Sequence, residues 1–305
     1  MELENRPLIV IVGSTASGKS SCALSIAKKY SGVIVNADSR QVYRELSIGT
    51  AKPVFGRVAD GVGYVDEIPH VMFDIFSPDE KISVSVFQRH ALRAINKVYE
   101  QGKVPVLVGG TGYYVQSVVD NMQYADVEID EDFRRELNAM SLNELHNQLR
   151  QVDPDAYASI QISNKRRVIR ALERVQLGQA DVVSGPKLFD VLQLGMSVER
   201  DVLIDRIDTR VDSMMGEGLV DEVRSIVDRF GYDALALDSI GYKEVVSFLK
   251  NDIDQKEMIE LIKIHTRQYA RRQKTWFSRD DRIVWIENNE EALNSVGTFL
   301  PNLVD

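Results

Sequence analysis

The sequence contains a single cysteine, Cys22, among its 305 residues. One thiol cannot form a disulfide within the chain and cannot build a cysteine-rich zinc site. Only 4 histidines are present, and none stands near another at the spacing that metal ligands require. We therefore expect no metal centre made of cysteine and histidine side chains. We also expect a reducing compartment, the cytoplasm.

Long apolar runs and an excess of positive charge are also missing. No hydrophobic segment approaches the roughly 20 residues that a membrane-spanning helix needs, so we expect no membrane partner. Acidic residues (46) outnumber lysine and arginine (37), which gives a net charge of -9. A surface that is basic throughout is excluded, whereas a local basic face is not. The hydrophobic fraction of 44% is sufficient for a buried core.

The strongest chemical signal lies near the amino terminus. Residues 7–12 (PLIVIV) form a β-branched run typical of a strand buried on both faces, and a helical pattern follows. Between them lies the phosphate-loop motif G-x-x-x-x-G-K-S, made of Gly13, Ser14, Thr15, Ala16, Ser17, Gly18, Lys19 and Ser20. Its backbone N–H groups and lysine bind phosphate, and its final serine can ligate Mg²⁺. The motif predicts polyphosphate binding. The alternative is a glycine turn that binds nothing.

Two further apolar runs end in polar residues. Residues 32–37 (GVIVNA) precede Asp38, and residues 104–108 (VPVLV) precede a glycine-rich turn that contains Thr111. Ligands of open α/β sheets bind beyond the carboxyl ends of the strands, so we expect both side chains beside the phosphate loop. Asp38 could hold a metal, act as a general base, or only cap a helix. The turn at residues 109–112 could meet a diphosphate, or could be an ordinary left-handed turn.

Two basic segments stand out against the acidic total. Residues 165–174 (KRRVIRALER) carry five positive charges and one negative charge, and residues 263–274 (KIHTRQYARRQK) carry five positive charges alone. At helical spacing Arg166, Arg170 and Arg174 share one face. Basic residues that alternate with aromatic ones can bind phosphates and stack on bases. The alternative for either segment is a solvated helix face.

Taken in order, the phosphate loop, the Asp38-Ser39 pair and the 109–112 turn resemble the tRNA dimethylallyltransferase family. The similarity continues to about residue 279 through the segments at residues 48–53 (IGTAKP), 74–78, 83–87, 166–173, 240–244 (IGYKE) and 269–277 (YARRQKTWF). The chain departs from the family pattern at His70, where two adjacent histidines are usual, and at residues 178–198, which match poorly.

The resemblance implies transfer of a dimethylallyl group from its diphosphate to N6 of the adenine 3′ to the tRNA anticodon, position 37, with Mg²⁺ as cofactor. Residues 13–20 would hold the diphosphate, with Mg²⁺ on Ser20 and help from Arg206 or Arg210. Asp38 would be the general base, and Thr111 would assist the leaving diphosphate. The implied contacts with the anticodon stem-loop are Asp38, Ser39, Arg40, Gln41, Thr111, Arg134, Arg166, Arg167, Val168, Ile169, Arg170, Arg271, Arg272, Lys274 and Trp276.

The middle of the chain is polar and helical in pattern, so residues 118–196 are predicted to form a helical insertion that contacts the anticodon stem-loop. A strand at residues 198–204 is expected to lead back, and the resemblance assigns residues 197–305, with residues 1–117, to the core. The predicted fold is therefore α/β, a P-loop core with a parallel sheet flanked by helices, plus the helical insertion.

Three other functions remain open from the sequence: a small-molecule P-loop kinase, an isopentenyltransferase acting on free adenine nucleotides, and a nucleotide-gated RNA-binding protein. The kinase would leave the basic segments unexplained, and the binding protein would leave Asp38 without a role. We expect a monomer.

Overall fold

A computed structural model describes residues 6–124, 130–160, 162–177 and 183–301. The chain divides into two compact units, one formed by Met1–Asn121 with Pro186–Asp305 and the other by Met122–Gly185. No helix in the described ranges is long and apolar enough to cross a membrane.

The first unit is built on an eight-stranded sheet. The strands of the protein in chain order are β1 (Arg6–Gly13), β2 (Gly32–Asn36), β3 (Arg57–Ala59), β4 (Val62–Val65), β5 (Ile68–Val71), β6 (Val104–Val108), β7 (Met122–Gln123), β8 (Val183–Ser184), β9 (Phe189–Met196) and β10 (Ile283–Ile286). The sheet order is β10-β9-β1-β6-β2-β5-β4-β3. All pairs from β10 to β5 are parallel, and β3, β4 and β5 are antiparallel neighbours.

Helices cover both faces of this sheet. The helices are α1 (Lys19–Lys29), α2 (Val84–Glu100), α3 (Gly112–Val119), α4 (Glu131–Ala139), α5 (Leu142–Val152), α6 (Pro154–Ser159), α7 (Lys165–Gln176), α8 (Arg200–Glu217), α9 (Leu219–Phe230), α10 (Tyr242–Leu249), α11 (Gln255–Phe277) and α12 (Asn289–Phe299). Alternate residues of β1 enter opposite cores: Leu8 and Val10 pack in one, and Ile9 and Ile11 pack in the other. This explains why the strand is apolar throughout. The predicted parallel P-loop core with flanking helices is confirmed.

The second unit contains α4 to α7 and the two-stranded pair β7-β8. Its own core is made by Leu137, Leu145, Leu149, Val168 and Leu172, with Ile169 and Ala171 completing it. The helices have clear start signals: Ser141 and Glu144 form a capping box at α5. This unit is therefore helical, as the periodicity of the sequence predicted.

The limits of the helical unit differ from the predicted 118–196. The returning strand is β9, and the segment at 198–204, predicted as a strand, leads into helix α8 instead. Asp190 and Gln193 interrupt the apolar pattern of β9 and hide it in the sequence. The Gln193 side chain is buried within the sheet unit, so its polarity does not indicate exposure. The loop predicted at residues 178–186 lies partly outside the described residues.

Candidate active site

The phosphate loop joins β1 to α1 at the carboxyl edge of the sheet. Gly13 and Gly18 have φ values of 143° and 97°, a region that glycine adopts without strain. Gly18 is the N-cap of α1 and provides no side-chain acceptor for the first N–H groups of the helix. The Lys19 ammonium donates to the Ser14 carbonyl at 2.6 Å. A helix start without a side-chain cap, next to a lysine, fits an anionic ligand.

Helix α11 fixes the shape of this loop from the far end of the chain. The Ser14 hydroxyl donates to the Ala270 carbonyl at 2.9 Å, and the Thr15 N–H donates to Gln273 Oε1 at 2.8 Å. The same Gln273 amide donates through Nε2 to the Gly110 carbonyl at 2.9 Å. One buried amide therefore ties the loop after β1 to the loop after β6.

Asp38 follows β2 and organises a turn, residues 38–41. Its Oδ1 accepts the N–H groups of Arg40 at 2.8 Å and Gln41 at 3.3 Å. Residues 39–46 form turns and not a helix, so the helix-cap alternative for Asp38 is wrong. Within the described ranges Oδ2 makes no hydrogen bond, which leaves it available to a ligand.

Thr111 lies against the same turn. Its Oγ1 accepts the Ser39 N–H at 3.0 Å and contacts the Ser39 hydroxyl at 3.2 Å. The Tyr269 hydroxyl lies near the Thr111 side chain. Burial, with the negative charge of Asp38, raises the pKa of Tyr269 to about 12, so this hydroxyl stays protonated at neutral pH. The Thr111 hydroxyl thus supports the Asp38 turn.

The glycine-rich turn before α3 needs glycine for space. Gly109, Gly110 and Gly112 do not have positive φ, so the left-handed-turn alternative is wrong. A β-carbon at Gly109 would collide with the Ala37 backbone, and one at Gly110 would collide with the Gln273 amide. Close approach of the loop after β6 to the loop after β2 therefore requires Gly109, and its close approach to α11 requires Gly110.

Charges converge on Lys19. Burial lowers the pKa of its ammonium to about 8; Asp38 opposes this shift and Arg210 adds to it. Burial also lowers the pKa of Arg210. Arg206 lies one helical turn earlier on α8 and is exposed. Of the two arginines, Arg210 is therefore the one whose charge reaches the phosphate loop.

Two cavities lie on either side of the phosphate loop. The first cavity, of about 680 Å³, is lined by Ala16, Ser47, Ile48, Ala51, Lys52, Val54, Val202, Asp205, Arg206, Thr209, Arg210, Ser213, Met214 and Glu217. The second cavity, of about 310 Å³, is lined by Thr15, Asp38, Ser39, Arg40, Gly49, Thr50, Asp238, Ser239, Ile240, Tyr242, Lys243, Thr266, Tyr269 and Arg272. Ala16 lines the first cavity and its neighbour Thr15 lines the second. The turn at residues 47–51 likewise contributes residues to both cavities.

The predicted RNA contacts on α11 fall into two places. Arg271, Arg272 and Lys274 are exposed, and Arg272 lines the second cavity. Trp276 lines a different cavity, of about 530 Å³, and its ring lies 5.6 Å from that of Tyr113. The structure therefore does not bring Trp276 to the cavity that contains Asp38.

The predicted contacts in the second unit also separate. Arg166, Arg167 and Arg170 of α7 are exposed. Val168 and Ile169 are buried in the core of this unit, so their side chains are not available for surface contact with RNA. The apolar positions of an amphipathic helix face inward, which the family motif alone did not distinguish.

Arg134 has a partner inside the second unit. Its Nε and Nη2 donate to Glu173 at 2.5 and 2.8 Å, and Glu173 is buried. Arg170 Nη1 also meets Glu173 Oε2, at 3.3 Å. These arginine contacts hold the pKa of Glu173 below its usual value despite the opposing effect of burial. This bidentate pair gives Arg134 a structural role.

Sequence reasoning missed four residues of this site: Lys52, Glu222, Tyr269 and Gln273. Lys52 lines the first cavity, is buried, and pairs with Asp74. Lys52, Tyr269 and Gln273 lie within segments that the family resemblance included, but no role was assigned to them. Glu222 carries no local signal, because a glutamate on an amphipathic helix is ordinarily solvated.

No group of three or more His, Cys, Asp or Glu side chains in the described ranges could hold a metal ion. Ser20 is exposed at the start of α1. These residues fit a magnesium ion only if most of its ligands are oxygens of a bound diphosphate.

Comparison with known proteins identifies the family. A model of IPP transferases matches residues 41–280, and a model of isopentenyl transferases matches residues 7–62. The chain belongs to the IPP transferase family. A tRNA dimethylallyltransferase of Halalkalibacterium halodurans is 40% identical over 291 residues, 92% of this chain and 90% of the relative. One of Acetivibrio thermocellus is 37% identical over 309 residues, 97% of this chain and 96% of the relative.

Solved structures of IPP transferases share the fold. The tRNA isopentenylpyrophosphate transferase of Bacillus halodurans aligns with a TM-score of 0.72 and 36% identity, covering 98% of this chain and 97% of that chain. A eukaryotic dimethylallyltransferase, described in the act of modifying tRNA, aligns with a TM-score of 0.81 and 25% identity. That alignment covers 98% of this chain and 80% of the eukaryotic one.

Proposed function

We propose that the protein transfers a dimethylallyl group from dimethylallyl diphosphate to N6 of adenine 37 in tRNA. The observation that carries this proposal is the position of the phosphate loop between two cavities, with Lys19 and Asp38 close enough for their charges to interact. A donor and an acceptor that enter from opposite sides would meet there. The relatives that match nearly the full chain carry the same activity in their names.

The first cavity suits the donor. Ile48, Val54, Val202 and Met214 provide apolar surface for the five-carbon group. Arg210 lines the same cavity, and its charge acts on Lys19 of the phosphate loop. The second cavity suits a flipped adenine, because Asp38 and Tyr269 line it and the exposed Arg272 lies at its side. A base in a loop leaves its stack at a cost of a few kcal/mol, which contacts in this cavity would offset.

The chemistry follows from these positions. A bond forms between adenine N6 and the dimethylallyl carbon that carries the diphosphate. The bond from this carbon to the diphosphate oxygen breaks, and the diphosphate leaves with the electron pair. Lys19, Arg210 and the N–H groups at the start of α1 stabilise the negative charge of the leaving group. Asp38 Oδ2 accepts the proton that N6 loses. Magnesium, held by Ser20 and the diphosphate, would neutralise further charge on the leaving group.

The remaining proposals concern partners and compartment. Exposed Arg166, Arg167 and Arg170 on α7, with Arg271 and Lys274 on α11, would bind phosphates of the anticodon stem-loop. We propose that the protein acts as a monomer. We propose the cytoplasm as its compartment because tRNA is the substrate.

Mass spectrometry of an anticodon stem-loop provides the direct test. Incubation with the protein, Mg²⁺ and dimethylallyl diphosphate should add one dimethylallyl group to adenine 37. A parallel reaction with ATP should give neither phosphate transfer nor hydrolysis. Phosphate transfer from ATP without prenylation would overturn the proposal in favour of a kinase. Prenylation of free AMP but not of the stem-loop would favour the nucleotide enzyme.

The two α8 arginines should differ in their effect on the donor. We expect Arg210→Ala to raise the KM for dimethylallyl diphosphate about 10- to 100-fold, the range for losing a hydrogen bond to a charged group. Arg206→Ala, its matched control on the same helix, should change KM less than about threefold, because an exposed charge is screened by solvent. Steady-state kinetics at saturating stem-loop measures both. Equal effects would contradict the assignment of Arg210.

Donor binding should weaken as pH rises through about 8. The pKa of Lys19 lies near 8 in the free protein, mainly through burial, so the ammonium is charged below this pH and neutral above it. Titration of dimethylallyl diphosphate across this range measures the change in Kd. Lys19→Arg is the matched control, since arginine stays charged and should flatten the profile. An unchanged wild-type Kd up to about pH 10, the ordinary lysine range, would contradict the expectation.

A further inference from the structure

A single carboxylate holds the turn that lies between the two cavities. Glu222, on α9, accepts the backbone N–H groups of Ser47 at 3.0 Å, Ile48 at 2.7 Å and Gly49 at 3.2 Å. Its Oε1 also accepts the Tyr242 hydroxyl at 2.6 Å. Consecutive N–H groups that converge on one anion form a concave cradle. The conformation of the turn therefore depends on Glu222.

Packing holds the same turn against α10. Tyr242 is fully buried, and a β-carbon added at Gly49 would come within 2.5 Å of its ring and 2.9 Å of Leu219 Cδ1. Burial and the Glu222 charge raise the pKa of Tyr242 well above its usual value. Its hydroxyl therefore stays a donor to Glu222 across the physiological pH range.

The turn at residues 47–51 also fixes the side chain of Gln41. Gln41 Nε2 donates to the Thr50 carbonyl at 2.9 Å and lies 3.3 Å from the Ala51 carbonyl. A flipped amide would place its oxygen against these two carbonyl oxygens, so the orientation is set by repulsion as well as attraction. Both amide hydrogens face the turn. Only Oε1, an acceptor, is left for a ligand.

We propose that Glu222 is a positioning residue for base recognition, acting through the turn at residues 47–51 on the amide of Gln41. This inference rests on the proposed function. An adenine amino group has two hydrogens, one that leaves during prenylation and one that stays. Asp38 Oδ2 accepts the first, and Gln41 Oε1, on the same turn, accepts the second. Together the two acceptors select bases that carry an exocyclic amine.

The test compares binding of two stem-loops, one with adenine at position 37 and one with purine, which lacks the amine. The wild-type protein should prefer adenine about 10- to 100-fold, the value of two hydrogen bonds. Glu222→Gln should lower the preference about threefold to tenfold, the value of the one hydrogen bond from Gln41, because an amide NH₂ would face the N–H groups of the turn. Asp221→Asn, on the same helix but exposed, should leave it unchanged.

A double-mutant cycle with Gln41→Ala separates positioning from general damage. In the Gln41→Ala background, Glu222→Gln should have no further effect on the preference. An equal effect in both backgrounds would overturn the proposal. Tyr242→Phe, which keeps the buried ring and removes one donor to Glu222, should lower the preference in the same direction. If the wild-type protein prefers adenine over purine but transfers no prenyl group, the proposed reaction is wrong and the role of Glu222 is still supported.

Discussion

Replacing Lys19 by methionine is expected to lower kcat/KM for prenyl transfer about 10²- to 10³-fold, the effect of removing one preorganised donor from a developing anion. The loss should be large because Lys19 is desolvated: burial lowers its pKa to about 8, and the same exclusion of water strengthens its interaction with a diphosphate. Steady-state kinetics with an anticodon stem-loop measures it.

Lys28→Met is the control for this substitution. Lys28 lies on the same helix, is half-exposed and pairs with Asp66 at 2.8 Å, a surface contact worth at most about 1 kcal/mol. It should leave kcat/KM unchanged. Thermal unfolding of Lys19→Met should be near wild type, because the side chain makes one hydrogen bond to the part of the chain that the structure describes, to the Ser14 carbonyl. A Lys19→Met protein that is stable and fully active would exclude the proposed diphosphate site.

Replacing Asp38 by asparagine should lower kcat about 10²- to 10⁴-fold, the range for loss of a general base. The asparagine oxygen can still accept the N–H groups of Arg40 and Gln41, so the turn and the affinity for the stem-loop should be retained. The Asp38 charge raises the pKa of Lys19, so the substitution also changes the charge of Lys19 at a given pH and with it the affinity for the donor. Single-turnover measurements at saturating donor separate these two effects.

The matched control is Asp60→Asn, which makes the same chemical change at an exposed turn between β3 and β4. Its kcat and its affinity for RNA should equal those of the wild type. Near-normal kcat in Asp38→Asn would remove the base assignment, whereas loss of stem-loop binding in parallel with kcat would assign Asp38 to recognition instead.

The parts of the fold that were predicted correctly are those with local physical signals. β-branched runs marked β1, β2 and β6, and the phosphate-loop motif marked the start of α1. Strand β9 was missed because Gln193, although buried, disrupts its apolar pattern. Burial of a polar side chain depends on partners distant in sequence, which no local pattern contains.

The residues of the candidate site also divide into those that a local sequence motif marks and those that it does not. Motifs located Asp38 and Lys19, because their chemistry is carried by adjacent residues. The roles of Glu222 and Gln273 depend on contacts with residues about 170 and 260 positions away, and only the folded chain brings these groups together. The choice between Arg206 and Arg210 likewise required the folded structure, in which Arg206 is exposed and burial lowers the pKa of Arg210.

The hydrogen bonds between helix α11 and the phosphate loop can form only late in translation. Ser14 and Thr15 are made early, yet their partners Ala270 and Gln273 follow 256 and 258 residues later. A nascent chain still attached to the ribosome holds the complete G-x-x-x-x-G-K-S sequence without the groups that shape it. These contacts therefore form only after residues 270–273 have been synthesised. Until then the growing polypeptide lacks the two hydrogen bonds that hold the phosphate loop to α11.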